Sequence, residues 1–140
     1  MDRQTLNRRK KIAIIMTLIL FFLSLVTKVY RMEDGDVNPT GFEVFIAGWM
    51  AIFDFDFYWL ANPISVLAII FFLFSKIRVS LVLSAIALVF ALAFFVYVKM
   101  GNGTIQNMGT ITSLGLGYYF WLASILTVFV SSIQLLRFSK

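Results

Sequence analysis

The chain has 140 residues, of which 61% are hydrophobic, 17% are aromatic and only 14% are charged. Because about a quarter of the residues in a soluble globular domain are charged, this composition argues against a soluble fold and predicts a protein embedded in lipid. The chain contains no cysteine and no histidine, which excludes a structural disulfide, a thiol nucleophile, a histidine-ligated metal and a Ser-His-Asp triad.

Four apolar blocks lie along the chain, each close to the roughly 20 residues that a helix needs to cross about 30 Å of hydrocarbon. Backbone amide and carbonyl groups cannot stay unpaired in lipid, so these blocks are predicted to be helices. The sequence therefore predicts an all-α membrane protein that forms a single integral-membrane domain over residues 1–140. Its four transmembrane helices are expected at about residues 12–30, 57–75, 79–98 and 116–136.

The first block follows a cluster of basic residues, as the apolar core of a secretory signal peptide also does. Residues 25–31 contain no small-x-small cleavage site. We therefore expect the block to be retained as a membrane helix.

Lysine and arginine are distributed unevenly between the connections, and this predicts the orientation. With four crossings, one side holds nine basic residues and one acidic residue, whereas the other side holds three basic and six acidic residues. Cytoplasmic connections retain the excess of positive charge, so both termini are predicted to be cytoplasmic. We expect the basic residues to lie beside anionic lipid headgroups, and we expect no nucleic-acid partner.

The segment 41–54 on the outer side is too short to span a bilayer but apolar enough to enter its interface. It predicts an interfacial or shallow re-entrant helix. The next span contains Pro63, which suits either the first turn of a helix or a kink within one. We expect a helix that begins near Phe57 and is kinked at Pro63, and the alternative is an irregular connection over residues 57–61.

Small and hydroxyl-bearing residues recur at helical spacing in the last two blocks, where they allow close helix packing or line a polar path. A Gly- and Thr-rich connection between these blocks, residues 101–117, is predicted to be an outer loop. The third block carries Ser80, Ser84, Ala87 and Ala91 on one face, and the fourth carries Ser124, Thr127, Ser131 and Gln134, its candidate helix-packing face.

Two carboxylates, Asp54 and Asp56, stand within an aromatic run. With Glu43 they are candidates for acid–base chemistry or for binding a hard cation through oxygen. The simpler interpretation is an aromatic belt at the outer surface of the bilayer, where Asp54 and Asp56 mark the boundary with water. The candidate partner-binding surface consists of Glu43, Trp49, Asp54, Asp56 and Trp59.

Three stretches together resemble a family of small, uncharacterised bacterial inner-membrane proteins with four predicted helices. They are Gly41-Phe42-Glu43 followed by Gly48-Trp49, then Trp59-Leu60-Ala61-Asn62-Pro63, then Gly117-Tyr118-Tyr119-Phe120-Trp121-Leu122-Ala123-Ser124. The resemblance implies a bacterial plasma membrane and a four-helix topology, and it implies no activity. The chain departs from the family pattern between residues 28 and 36, which are more charged.

Three hypotheses about function follow. The first is a non-enzymatic membrane protein without a cofactor, which binds another membrane component as an accessory or toxin-immunity protein does. The second is an oligomeric pore or small-solute carrier lined by the hydroxyl face of the fourth helix. The third is a lipid-headgroup enzyme that uses Glu43, Asp54 and Asp56. We favour the first, with the lipid bilayer and another membrane protein, or a second copy of the chain, as expected partners.

Overall fold

The fold is dominated by helices. A computed structural model describes residues 3–33, 38–54, 57–101, 104–105 and 109–138. The five α-helices in the described part are α1 (Arg3–Val26), α2 (Gly41–Ala47), α3 (Ala61–Leu73), α4 (Ile77–Lys99) and α5 (Leu116–Phe138), so the predicted helical class is confirmed. Among the described residues, two helices, α4 and α5, are long and apolar enough to cross a membrane, so the four predicted spans are not shown.

One end of the bundle collects the basic residues. The Lys10 Nζ atom donates a hydrogen bond to the Leu73 carbonyl oxygen at 3.3 Å and another to the Ser75 hydroxyl. The guanidinium of Arg9 lies 5.8 Å from the centre of the Phe138 ring. The start of α1 therefore meets the end of α3 and the end of α5. We call this the basic end, and its described cations are Arg8, Arg9, Lys10, Lys11, Lys76, Arg78 and Arg137.

The opposite end is joined by aromatic residues. The Tyr58 ring, just before α3, lies 5.2 Å from the Tyr97 ring near the end of α4. The Tyr118 hydroxyl, at the start of α5, donates a 2.6 Å hydrogen bond to the Ala91 carbonyl. The helices α1, α3, α4 and α5 thus run alternately up and down between the two ends.

Several predicted helix boundaries need correction. The first helix ends at Val26 rather than at residue 30, because Tyr30 enters a β-strand. The second begins as a 3₁₀ helix, Phe57–Leu60, and becomes α-helical only at Ala61. Pro63 lies in the first turn of α3, where a missing amide hydrogen breaks no bond. A 3₁₀ helix rises about 2.0 Å per residue and an α-helix about 1.5 Å, so the two helical parts from Phe57 to Leu73 together reach roughly 28 Å.

The outer segment predicted at 41–54 is helical but of two types. It consists of α2 followed by a 3₁₀ helix, Gly48–Asp54. Because α2 packs against α1, this segment sits beside the end of the first helix.

A three-stranded antiparallel sheet covers the same end of the bundle. Its strands are β1 (Tyr30–Met32), β2 (Thr104–Ile105) and β3 (Gly109–Leu114), in the order β1-β3-β2. Met32 and Ile111 are buried in a cluster with Val98 of α4, which attaches the sheet to the bundle. The connection over residues 101–117, predicted as an outer loop, therefore contains two strands, β2 and β3, that the sequence did not predict.

The core is built largely from small and hydroxyl-bearing side chains, and many large apolar side chains point outwards. On α4 the predicted face is confirmed, because all four of its residues are buried. The Ser80 hydroxyl donates across the helix pair to the Ala68 carbonyl at 2.8 Å. Exposed large residues include Phe22, Val26, Phe74, Val82, Val89, Leu92, Val96 and Leu116, and buried small ones include Ala13, Ala61, Ala68, Ala87, Ala91, Ser65, Ser80, Ser84, Ser124 and Ser132.

Candidate functional site

Glu43 closes the first turn of α2. Its Oε2 atom accepts a 2.6 Å hydrogen bond from the Thr40 backbone amide and a 2.9 Å bond from the Thr40 hydroxyl. The Glu43 amide in turn donates to the Thr40 hydroxyl at 3.4 Å, which completes a capping box. These bonds, with the Thr40 amide contributing most, lower the pKa of Glu43, and the positive charge of Lys28 lowers it further. The carboxylate is thus engaged as a helix cap.

The stability of α2 is expected to depend on pH through Glu43. Its pKa is lower in the folded state, so its contribution is present above the ordinary glutamate pKa and is lost as the pH falls through the folded value. Glu43→Gln keeps a cap acceptor without titrating, and should remove this pH dependence. The measurement is amide hydrogen exchange of residues 41–47 between pH 6 and pH 3, after correction for intrinsic exchange. An equal loss of protection in wild type and Glu43→Gln would contradict the assignment.

Trp59 ties the 3₁₀ helix before α3 to α2. Its indole Nε1 donates a 3.3 Å hydrogen bond to the Val44 carbonyl. A Cβ atom on Gly48 would lie only 2.6 Å from that Nε1, so the indole fits there because residue 48 is glycine. Trp59 is half-buried, so part of the predicted partner-binding surface has an internal structural role.

Removing the indole hydrogen bond is expected to destabilise the outer segment. Trp59→Phe keeps an aromatic ring but has no donor for the Val44 carbonyl, so we expect a loss of about 1 kcal/mol in the free energy of unfolding. Trp49→Phe is the matched control because Trp49 is 49% exposed. Thermal unfolding in mild detergent should separate the two variants. Equal melting temperatures would show that the Trp59 bond contributes nothing.

The exposed side of α2 and the following 3₁₀ helix forms an apolar stripe. Trp49 lies edge-on to Phe53, with ring centres 5.9 Å apart. Trp49 lies near the middle of this stripe, and each of the stripe's side chains is between 49% and 76% exposed. The backbone of Asp54 ends the 3₁₀ helix, its side chain is not described, and Asp56 lies outside the described residues. We call Phe42, Ile46, Trp49, Met50 and Phe53 the outer apolar stripe.

Three glycines hold the segment that follows α1, a feature missed by the sequence analysis. The Gly41 amide donates to the Thr27 carbonyl at 3.0 Å, the Gly117 amide to the Lys28 carbonyl at 2.8 Å and the Gly115 amide to the Val29 carbonyl at 2.7 Å. The first backbone amides of a helix have no acceptor within that helix. Here the amides at the start of α2 and α5 donate to carbonyls of the segment that follows α1. We call Gly41, Gly115 and Gly117 the glycine clamp.

The clamp has no room for a side chain. A Cβ atom on Gly41 would lie 2.8 Å from the Ser24 carbonyl carbon, and one on Gly117 would lie 2.7 Å from the Thr27 carbonyl oxygen. Gly41 and Gly117 each begin one of the three stretches that carry the family resemblance. The signal available in the sequence was a glycine at the first or second position of a helix, where the missing side chain lets another backbone come close.

The predicted packing face of α5 is only partly buried. Ser124 is fully buried, Thr127 and Ser131 are half-buried, and Gln134 is exposed. The Ser124 and Thr127 hydroxyls donate to carbonyls of their own helix, at 2.7 and 2.8 Å. The buried side of α5 also includes Ser132, so the packing face is displaced from Ser131 and Gln134 towards this neighbour.

Comparison with known proteins adds no relative to this description. No family model, curated protein or solved structure matches the chain.

Proposed function

We propose that this chain is a non-enzymatic integral membrane protein of a bacterial plasma membrane. It crosses the bilayer four times, keeps both termini in the cytoplasm and binds another membrane component through the outer apolar stripe.

The distribution of side-chain size is the observation that carries this proposal. A core helix of a soluble protein is mostly buried, but only 22% of the apolar stretch of α4 and 22% of that of α5 is buried. Most buried side chains are small or hydroxyl-bearing, as they are where membrane helices approach closely, and many large apolar residues face outwards. Water would make such a surface costly, whereas lipid solvates it.

The alternating helix directions support four crossings. If α4 and α5 cross the bilayer, α1 and the stretch Phe57–Leu73 cross it as well. Both make contacts with the other helices at the basic end and again near the sheet at the opposite end. The α1 helix spans about 36 Å, although its first residues are basic, and its apolar part continues to Val26. The charge difference between the two ends supports a cytoplasmic basic end.

The outer apolar stripe supports a partner at the opposite end. Aromatic and methionine side chains at the centre of an exposed patch are typical of protein interfaces. Trp49 is both exposed and central to the stripe. An accessory or toxin-immunity role is consistent with a small chain that offers such a surface.

Photocrosslinking in native membranes tests the partner. A photoreactive residue at Trp49 should attach one heterologous membrane protein, whereas the same residue at Val89, which is 67% exposed on α4, should attach lipid. Lipid adducts alone at both positions would contradict partner binding. Self-crosslinks alone at Trp49 would favour the oligomeric pore.

The pore and lipid-headgroup enzyme hypotheses have weaker support. The Ser124 and Thr127 hydroxyls are bonded to their own helix, an arrangement that favours packing over lining a water path. The Glu43 carboxylate is engaged with Thr40, which favours a capping role over catalysis.

A further inference from the structure

A shallow recess lies between α1 and α5 at the basic end. It has a volume of about 20 Å³, which admits a single water molecule or one oxygen atom of a larger group. The lining combines one charged, two polar and three apolar side chains. The lining residues are Leu6, Arg9, Ser131, Gln134, Leu135 and Phe138.

Arg9 is the charged group at this recess. Its guanidinium lies over the Phe138 ring, which orients the planar fork beside the recess. A guanidinium fork matches the geometry of phosphate oxygens and binds them with two parallel hydrogen bonds. Within the described residues, all the acidic side chains belong to the opposite end of the molecule, so Arg9 has no carboxylate partner there.

The surrounding charge favours an anion. The basic end carries seven described cations, and one of them, Arg137, lies in the last turn of α5 between the lining residues Leu135 and Phe138. Amide and hydroxyl groups of Gln134 and Ser131 offer hydrogen bonds to the same anion. Basic recesses between membrane helices on the cytoplasmic side suit lipid headgroups.

We propose that this recess binds the phosphate of an anionic phospholipid of the cytoplasmic leaflet. One phosphate oxygen enters the recess and a second lies at its mouth, so that Arg9 contacts both, and Gln134 and Ser131 donate to the same group. The recess is too small for a whole headgroup, so the rest of the lipid lies outside it against Leu6, Leu135 and Phe138. These apolar residues favour a phospholipid over free phosphate. The site rests on the proposed membrane embedding of α1 and α5.

Lipid titration of the purified full chain in mild detergent tests the site. Native mass spectrometry should show tighter binding of phosphatidylglycerol than of phosphatidylcholine. Arg9→Gln removes the guanidinium and should weaken phosphatidylglycerol binding about tenfold. Lys76→Gln is the matched control, because it removes the same charge at the same end from a residue outside the recess, and it should change the affinity less than about twofold.

Several outcomes would overturn the proposal. They are equal loss of affinity in Arg9→Gln and Lys76→Gln, equal affinity for both lipids, or displacement of the lipid by inorganic phosphate at the same concentration. If Arg9→Gln does not fold, Gln134→Leu replaces it, and unchanged phosphatidylglycerol affinity in that variant would overturn the site. Membrane embedding is measured separately by the labelling of single cysteines. If that labelling gives the expected spans but the protein binds both lipids equally, this site is overturned and the proposed membrane embedding is not.

Discussion

Replacing Gly41 by alanine is expected to destabilise the protein by about 3 kcal/mol, because the new methyl group collides with backbone. The nearest atoms belong to the Ser24 carbonyl and to Leu25, neither of which is the end of a flexible side chain. Either α2 must move away from α1 or the end of α1 must unwind. Both movements break the hydrogen bond from Gly41 to Thr27.

Thermal unfolding in mild detergent measures this effect, and Gly101→Ala provides the control. A Cβ atom on Gly101 meets open space, so that variant loses only the freedom to hold a φ of +74°, at a cost of about 1 kcal/mol. Gly117→Ala, on the other side of the clamp, should resemble Gly41→Ala. If Gly41→Ala and Gly101→Ala melt together, the clamp does not hold the end of α1.

Enlarging a small residue in the core is expected to separate the helices. Ala87 is fully buried on the face of α4 that packs against the bundle. Ala87→Leu adds three carbon atoms where none fits, and we expect a loss of at least about 2 kcal/mol in the free energy of unfolding.

Val89→Leu is the control for this substitution. Val89 lies on the same helix but is 67% exposed, so a larger side chain there extends into the surrounding solvent. We expect its melting temperature to stay within about 2 °C of wild type. If Ala87→Leu is as stable as Val89→Leu, the small residues do not determine the packing of α4.

The packing face of α4 could be predicted because its signal is local. Ser80, Ser84, Ala87 and Ala91 follow helical spacing, and a helix brings such residues together whatever surrounds it. On α5 the same reasoning had two solutions. A face through Ser131 and Gln134 and one through Ser132 both fit helical spacing, and the packing of α5 against α1, α3 and α4 determines which is buried.

The sheet could not be predicted, because its pairing is non-local. Tyr30 pairs with Leu114, more than half the chain away, and the strand at Tyr30–Met32 has only three residues. Short strands have little pattern of their own. The glycines in and around β3 indicated a loop, although its threonines favour a strand.

Part of the candidate site was predicted in position but not in role. Trp59 is predicted on the partner-binding surface, yet its indole is directed to the Val44 carbonyl. Glu43 was considered as a carboxylate for chemistry, and it caps α2 through Thr40. The role of Glu43 could have been predicted, because Thr40 and Glu43 have the spacing of a capping box. The role of Trp59 depends on the room left by Gly48, which composition does not reveal.

Membrane topology is the central claim, and labelling of single cysteines tests it most directly. The chain has no natural cysteine, so Arg8→Cys, Arg31→Cys, Lys76→Cys and Lys99→Cys each create one reactive site. A membrane-impermeant maleimide is added to spheroplasts before and after permeabilisation. Four crossings predict that positions 31 and 99 react at once, and that positions 8 and 76 react only after permeabilisation.

Position 31 distinguishes four crossings from two. If only α4 and α5 cross the membrane, Arg31→Cys lies on the same side as Lys76→Cys and behaves like it. If all four helical segments cross, it behaves like Lys99→Cys. Labelling of Arg31→Cys together with Lys99→Cys in intact spheroplasts is the predicted result, and protection of Arg31→Cys together with Lys76→Cys would contradict the four-span account.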